Sequence, residues 1–268
     1  TACGLQGATC QTCDPQRADT CGVLGCQCAT VAACGPGLRC LQGLCTPPQW
    51  HLLSPTVRPP ARAAAVMAFD SARNLVVLFG GSDDTGYLDD LWEWNGTTWT
   101  QRTPTTRPPG RMSGAGAYDP VRQRFVVFGG FTSGGLTNSV WEWDGATWSE
   151  RVLSPAPVAR YGAAMAFDPS RGKLVLFGGS GSTAVLGDTW TLDATGWTQL
   201  SGSGPPARRE HQLIWSPQRQ RVVTAGGGDG QLRADVWELG PTGWTTVPNN
   251  LPSAVTSYAA SWNGRAVM

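Results

Sequence analysis

The sequence feature that most constrains this chain is a unit of about 49 residues that occurs four times. Each copy has an arginine after a Pro-rich stretch, an apolar run ending in a Gly-Gly doublet, and two tryptophans that lie seven residues apart. A period this long and regular predicts a stack of similar supersecondary units, each of which buries its apolar faces against its neighbours. The arginines, separated by 49, 49 and 48 residues, are Arg62, Arg111, Arg160 and Arg208.

Each unit is predicted to form four β-strands, because strand-like runs alternate with turn residues and no helical periodicity of useful length occurs. In the second copy the strands are predicted at residues 113–118, 125–128 and 141–143 and from Trp148 onward. The second strand is apolar without interruption, which predicts that neighbouring sheets cover both of its faces. The third strand alternates between apolar and polar residues, which predicts one buried face.

The repeated glycines, turn residues and tryptophans are predicted to be structural. Asn95-Gly96 and Asp144-Gly145 are typical of tight hairpin turns. The Gly-Gly doublets allow positive φ or a close approach of two backbones where a strand ends. Because the tryptophans recur with the repeat, we expect their rings to be buried between sheets and not to form platforms for sugar rings.

The arginine, the Gly-Gly doublet and the two tryptophans, at a period near 49, resemble the kelch repeat, whose usual period is about 50. WD40 repeats are shorter and carry Gly-His and Trp-Asp dipeptides that these copies lack. The resemblance covers residues 50–268 and implies an all-β fold, a kelch-type β-propeller of four-stranded blades within the galactose oxidase/kelch superfamily.

Both ends of the repeat region suggest further blades. Residues 257–268 match the opening of a fifth unit, with Trp262 near the position of Phe167 in the third copy. Trp50 stands 49 residues before Trp99 and therefore occupies a last-strand position. We expect four complete units and a partial fifth, with a longer natural chain, and an open ring whose exposed edge favours aggregation.

A cysteine-rich head precedes the repeats. It has too few apolar residues to fold by burial alone, which predicts disulfides or a metal. Disulfides are favoured over zinc because the head has no histidine and does not form two clean CxxC pairs. The odd count predicts either a free thiol or a partner cysteine outside this sequence. The nine residues are Cys3, Cys10, Cys13, Cys21, Cys26, Cys28, Cys34, Cys40 and Cys45.

The end of the head resembles a secreted module. The run from Cys34 to Cys45 is similar to the C-x-P-G-x-x-C-x-x-G-x-C endings of small EGF-like modules. With the prolines that follow Thr46, it predicts a disulfide module at residues 1–46 and a propeller at residues 47–268. Disulfides imply an extracellular or cell-surface location, with the periplasm as the alternative.

Charge and hydropathy exclude two classes of partner. With 20 basic and 19 acidic residues, the formal net charge of +1 creates no strong field to attract nucleic acid or an anionic membrane surface. No run of 18 consecutive apolar residues occurs, so we predict no membrane span in this sequence.

The candidate ligand-binding residues are the repeated arginines and two neighbours. The resemblance implies that in ligand-binding kelch domains this arginine lies on the face around the central channel, where its guanidinium group can bind carboxylates of a partner. The alternative is structural, with each arginine donating to carbonyls of a neighbouring blade. The loops between second and third strands differ between copies, and such loops usually determine specificity. The candidates are Arg62, Arg111, Arg160, Arg208, Tyr161 and His211.

Catalysis finds little support in the sequence. The copper site of galactose oxidase needs Tyr, His and Cys side chains, whereas these repeats contain no cysteine and the chain has two histidines, His51 and His211. Sialidase-type Asp boxes and phosphate-binding loops are missing as well. We therefore predict no catalytic residue, no metal site and no cofactor.

These observations predict a secreted or surface-attached recognition protein that binds a protein or a polysaccharide through the loop face of its propeller. One alternative is a secreted carbohydrate-active enzyme whose catalytic residues lie outside this sequence. The other is a structural spacer in a larger surface protein.

Overall fold

A computed structural model describes residues 53–248, residues 251 and 253–256, and the backbone of short strands between residues 20 and 46 and between residues 261 and 267. The chain divides into two compact units, Thr1–Ser54 and Pro55–Met268. Every regular element within these described ranges is a β-strand. Accordingly, the described residues include no helix with the length and apolar character needed to cross a membrane.

The first unit contains two small antiparallel sheets among its described residues. The strand register places Cys21 opposite Cys26 and Cys40 opposite Cys45. The side chains of all nine cysteines lie outside the described residues, so the disulfides and the EGF-like module stay predictions. The strands are β1 (Thr20–Gly22), β2 (Gly25–Cys28) and β3 (Val31–Ala32) in one sheet, and β4 (Arg39–Leu41) and β5 (Leu44–Thr46) in the other.

The second unit contains four antiparallel sheets of four strands, one for each sequence repeat, which we name blades I to IV. Chain order and spatial order agree in every sheet. Blade I is β6 (Val66–Asp70), β7 (Leu75–Phe79), β10 (Leu91–Trp94) and β11 (Trp99–Arg102); blade II is β13 (Ala115–Asp119), β14 (Arg124–Phe128), β17 (Val140–Trp143) and β18 (Trp148–Arg151); blade III is β19 (Ala164–Asp168), β20 (Lys173–Phe177), β21 (Thr189–Leu192) and β22 (Trp197–Leu200); blade IV is β23 (Gln212–Ser216), β24 (Arg221–Ala225), β25 (Val236–Gly240) and β26 (Gly243–Thr246).

The link between the second and third strands of each blade folds into a small hairpin that pairs with the residues just before the first strand. These hairpins, at residues 82–87, 131–136, 180–185 and 228–232, define what we call the hairpin face. The short strands here are β8 (Ser82–Asp83), β9 (Gly86–Tyr87), β12 (Arg111–Met112), β15 (Phe131–Thr132) and β16 (Gly135–Leu136).

The opening of a fifth unit is present as an antiparallel pair of short strands, β27 (Ser261–Trp262) and β28 (Ala266–Val267). The first strands of successive units pack in the order β6, β13, β19, β23 and β27. Trp50, which the sequence places in a closing strand, lies outside the described residues.

Apolar clusters join each pair of successive blades. The second strands of blades II and III, β14 and β20, each bury four of their five residues, which confirms for these blades the prediction that both faces are covered. In blade I only Val77 and Phe79 of β7 are buried, so there the prediction holds for one face. Blade I differs because Met67 and Phe69 on its first strand are 59% and 53% exposed. At each interface a phenylalanine of the second strand contacts a tryptophan in the fourth strand of the next blade, in the pairs Phe79–Trp148, Phe128–Trp197 and Phe177–Trp244, with ring centroids 5.1, 5.2 and 5.4 Å apart.

The Gly-Gly doublets connect one blade to the next. Gly178 has φ of +66°, and a Cβ on it would lie 2.5 Å from the carbonyl oxygen of Arg208, at the start of blade IV. The amide of Gly179 donates to that same oxygen at 2.8 Å. The doublet is therefore a backbone device, as predicted. Further along, Val255 accepts the equivalent bond from Gly227 at 2.7 Å, in the position that an arginine has in the earlier units.

The hairpin turns predicted at Asn95-Gly96 and Asp144-Gly145 are present, but each loop has four residues, since Trp94 pairs with Trp99 and Trp143 with Trp148. The wider loop forms because the side chain at its first position accepts hydrogen bonds from loop amides, which therefore need no partner on a facing strand. The carboxylate of Asp144 accepts hydrogen bonds from two backbone amides of the loop, at 2.7 and 2.8 Å.

Two alanine substitutions separate the two roles of a glycine in these blades. Gly172 and Gly178 share a left-handed φ, +64° and +66°, but nothing lies within 4 Å of a Cβ on Gly172. We expect Gly172→Ala to cost about 1 kcal/mol, from backbone strain alone. Gly178→Ala should cost about 2 kcal/mol more, because the Arg208 carbonyl must move. Urea unfolding of both variants measures the difference in the free energy of unfolding. Equal losses of stability would show that the short distance between Gly178 and the Arg208 carbonyl oxygen does not affect stability.

Candidate functional site

The repeated arginines lie buried within their own blades. The side chain of Arg160 has no exposed area, and it donates to the carbonyl oxygens of Gly178 at 2.9 Å and Val158 at 3.0 Å. The structural alternative predicted bonds to a neighbouring blade, but here the side chain binds its own blade, and the backbone N–H and carbonyl of the arginine bind the blade before. The same bond to the first glycine of the doublet is made by Arg62, Arg111 and Arg208.

An aspartate before the third strand completes this arrangement in blades I, III and IV. The carboxylate of Asp188 accepts hydrogen bonds from both terminal nitrogens of Arg160, at 2.6 and 2.8 Å, and from the indole N–H of Trp190 at 2.7 Å. Burial alone would raise the pKa of Asp188, but the hydrogen bonds from Arg160 and Trp190 and the Arg160 charge outweigh burial and lower it. The equivalent groups are Arg62–Asp90–Trp92 and Arg208–Asp235–Trp237.

Blade II lacks the aspartate. Ser139 stands at its position, and the Ser139 hydroxyl accepts a hydrogen bond of 3.1 Å from Arg111. Burial lowers the pKa of Arg111 to about 10, opposed by the charge of Glu150, so the guanidinium group is still charged at neutral pH.

Ligand binding by the four arginines stays a prediction, and their geometry gives each one a structural role first. Arg160 and Arg208 have no exposed side-chain area, so a ligand on the surface does not reach their guanidinium groups. Substituting either arginine would destabilise its blade, so a loss of ligand binding in such a variant would not show that the arginine contacts the ligand.

His211 is also a core residue. Its ring packs edge-on against Phe177 with centroids 5.1 Å apart. Burial first, and then the charge of Arg208, lower the pKa of His211 to about 3. The imidazole is therefore neutral at physiological pH and fully enclosed.

A second ion network, which the sequence analysis missed, lies at the opposite end of the blades from the hairpin face. In blade II, Arg122 binds Asp119 at 2.6 Å and Glu142 at 2.5 Å, and so joins the turn after the first strand to the third strand. Arg122 lies three residues after the turn aspartate and recurs with the period, which is the signal that could have revealed it. The network is structural because its carboxylates are buried.

Tyr161 lies at the centre of a partly exposed cluster on the hairpin face. Its ring centroid is 4.7 Å from that of Phe131 in blade II. The guanidinium carbon of Arg209, at the start of blade IV, is 5.5 Å from the same ring, and Arg209 also donates a hydrogen bond to the Tyr161 hydroxyl. Side chains from three successive units therefore meet here.

Two grooves flank this cluster. One, of about 600 Å³, is lined by Phe131, Leu136, Tyr161 and residues 180–185. The other, of about 200 Å³, lies beside Arg209 and Leu232, and Leu232 is 58% exposed. We call Phe131, Leu136, Tyr161, Arg209 and Leu232 the Tyr161 surface.

Of the residues predicted for a binding site, the structure brings only Tyr161 to this surface. Phe131 and Arg209 were missed, although a signal was available. Two positions of each repeat face each other across the small hairpin sheet, and at both positions the copies differ in sequence. These are the residue after the arginine (Ala63, Met112, Tyr161 and Arg209) and the residue after the Gly-Gly doublet (Ser82, Phe131, Ser180 and Gly228).

Within the described part of the chain, no cluster of three His, Cys, Asp or Glu side chains is placed to hold a metal ion. The Tyr161 surface has an aromatic ring, a cation and apolar side chains, which suit recognition of another molecule.

A family model described as the KLHDC2/KLHL20/DRC7 Kelch-repeats domain matches residues 97–267, well over half of the chain. Together with the four four-stranded sheets, this match confirms the predicted kelch-type β-propeller. No curated protein matches the chain significantly.

The buried Arg160–Asp188 pair gives a testable pH dependence. Because the folded pKa of Asp188 is lowered, its stabilisation is complete above the unfolded value of about 3.9 and is lost as the pH falls through the folded value. Asp188→Asn should therefore cost about 2–3 kcal/mol at pH 7 and progressively less below about pH 4. Urea unfolding across this pH range measures both effects.

The matched control is Asp229→Asn, which removes the exposed ion pair with Arg233. We expect little change in stability for this variant. A cost for Asp188→Asn that stays the same between pH 7 and pH 3 would contradict the assignment.

Proposed function

Since the chain belongs to the kelch-repeat family, whose repeats generally mediate protein binding, we propose that its propeller recognises a protein segment on the Tyr161 surface. The observation that carries this proposal is the meeting of Phe131, Tyr161 and Arg209 from three successive units. Tyrosine and arginine are the residue types that contribute most to binding energy at protein interfaces.

The chemistry of the surface indicates what the partner segment carries. The groove beside Phe131 and Leu136 accommodates an apolar side chain. Arg209 forms no ion pair among the described residues and is only partly buried, so its remaining N–H groups can bind a carboxylate of the partner. We therefore expect a segment in which an acidic residue lies close to an apolar one.

A polysaccharide partner, which the sequence analysis also predicted, fits this surface less well. Sugar rings bind on flat, open aromatic faces, whereas the Tyr161 ring is already in contact with Phe131 and Arg209. The tryptophans Trp92, Trp141 and Trp190 are buried. The enzyme and spacer alternatives have no supporting arrangement among the described residues.

We also propose that the cysteine-rich head is oxidised and that the protein works outside the cytoplasm. The support is the concentration of all nine cysteines between Cys3 and Cys45, in a segment without histidine.

The binding proposal is tested with a random peptide library displayed on phage and selected against the wild-type chain. We expect enriched peptides to pair an acidic with an apolar residue. Their Kd should rise at least about tenfold on Tyr161→Ala and on Arg209→Ala, measured by fluorescence polarisation.

The controls are Arg124→Ala and Val121→Ala, which remove a cation and an exposed apolar side chain at the opposite end of blade II. Unfolding midpoints verify that all four variants are folded. Peptides that bind the wild type and every variant with equal Kd would contradict the proposal. So would a glycan that binds the wild type, and loses affinity on Tyr161→Ala, while no peptide is enriched.

The oxidation of the head is tested by intact-mass measurement of the protein before and after reduction. Four disulfides and one thiol predict a gain of about 8 Da on reduction, and one thiol that reacts with maleimide beforehand. Nine reactive thiols in the native protein after treatment with a chelator, with no mass gain on reduction, would support bound zinc instead.

A further inference from the structure

In three blades a single carboxylate oxygen joins two buried donors. In blade III, Oδ2 of Asp188 accepts from Nη2 of Arg160 at 2.8 Å and from the indole N–H of Trp190 at 2.7 Å. The same bridging oxygen is provided by Asp90 in blade I, at 2.8 and 2.6 Å, and by Asp235 in blade IV, at 2.6 and 2.6 Å. The two donors in each blade therefore converge on one point.

Blade II keeps both donors without the oxygen between them. Nη2 of Arg111 and the indole N–H of Trp141 are buried and have no hydrogen-bond partner among the described residues. Arg111 has no exposed area and Trp141 is 8% exposed. The backbone is in the same place as in the other blades, because Gly129 donates to the Ser139 carbonyl at 3.2 Å as Gly178 does to Asp188 at 3.1 Å.

The guanidinium charge of Arg111 is also left without a counter-charge. Arg111 forms no ion pair with any residue that the structure describes, and Glu150, whose charge acts on it, is exposed to solvent. A buried cation without an anion nearby is costly. A water molecule would accept both hydrogen bonds but would leave this charge uncompensated.

We propose that Arg111, Trp141 and Ser139 form a binding site for a small monovalent anion of the halide class. The anion takes the place of the carboxylate oxygen that the other three blades provide. The Ser139 hydroxyl accepts hydrogen bonds from Arg111 and Thr137, both at 3.1 Å, so its own proton is available to the anion as a third donor.

The size of the site selects the ion. Serine has two heavy atoms fewer than aspartate, so the space gained suits a single atom and excludes sulfate or phosphate. The ion reaches the site from solvent, because Ser139 is only partly buried and the equivalent Asp90 and Asp188 side chains are 17% and 24% exposed.

Thermal unfolding in chloride tests the proposal, with gluconate, which is too large for the site, used to keep the ionic strength constant. The wild-type Tm should rise by about 3–6 °C for each tenfold increase of chloride above its Kd. Ser139→Asp supplies the missing carboxylate, so it should have a higher Tm in gluconate and no chloride dependence. Asp188→Ser is the matched variant and should acquire a chloride dependence in blade III.

Crystals of the wild-type protein soaked in bromide give an independent readout. We expect an anomalous peak between Nη2 of Arg111 and the indole nitrogen of Trp141, and no peak at Asp188 or Asp235. The proposal is overturned if the bromide peak is missing there, or if wild type and Ser139→Asp respond to chloride equally. The bromide experiment decides the matter should either variant fail to fold.

Discussion

One buried guanidinium group in each blade is the constraint around which the propeller is built. Removed from water, it needs acceptors on several sides. It finds them in the backbone before its own strand, in the Gly-Gly doublet that ends the second strand and, in three of the four blades, in an aspartate before the third, as Arg160 does with Asp188. Three separate stretches of chain are thereby held at one point, and the backbone carbonyl of the same arginine binds the preceding blade.

Residues that repeat and residues that do not repeat have different tasks in this chain. The arginines, glycine doublets and tryptophans recur with the period and hold the sheets together. Tyr161, Phe131 and Arg209 occupy two positions where the copies differ, on a small sheet beyond the ends of the main strands. The surface can therefore vary from blade to blade without disturbing the packing beneath it, which suits a protein-binding module.

The period alone was sufficient to predict the four sheets, the buried second strands of blades II and III and the glycine doublets, because each follows from chemistry that is local in sequence. The direction of the arginine side chains was not predictable from one copy. Their spacing of 28 residues to Asp90 and to Asp188 was a usable signal, and Ser139 at that position marked the exception. The contact of Tyr161 with Phe131 and Arg209 joins residues 30 and 48 positions away, from adjoining units, and only the folded chain reveals it.

The bond between Gly227 and the carbonyl of Val255 has a wider consequence. Blades II to IV and the segment that contains Val255 each offer the preceding blade a peptide oxygen, so this bond between units is made by main chain and forms with either arginine or valine at that position. Whole repeats could thus be duplicated, lost or exchanged during evolution with this bond retained, provided that each new neighbour also keeps the phenylalanine and tryptophan that meet between blades. The same property makes the propeller suitable for building chimaeras, in which a repeat bearing a chosen recognition residue is inserted as a cassette.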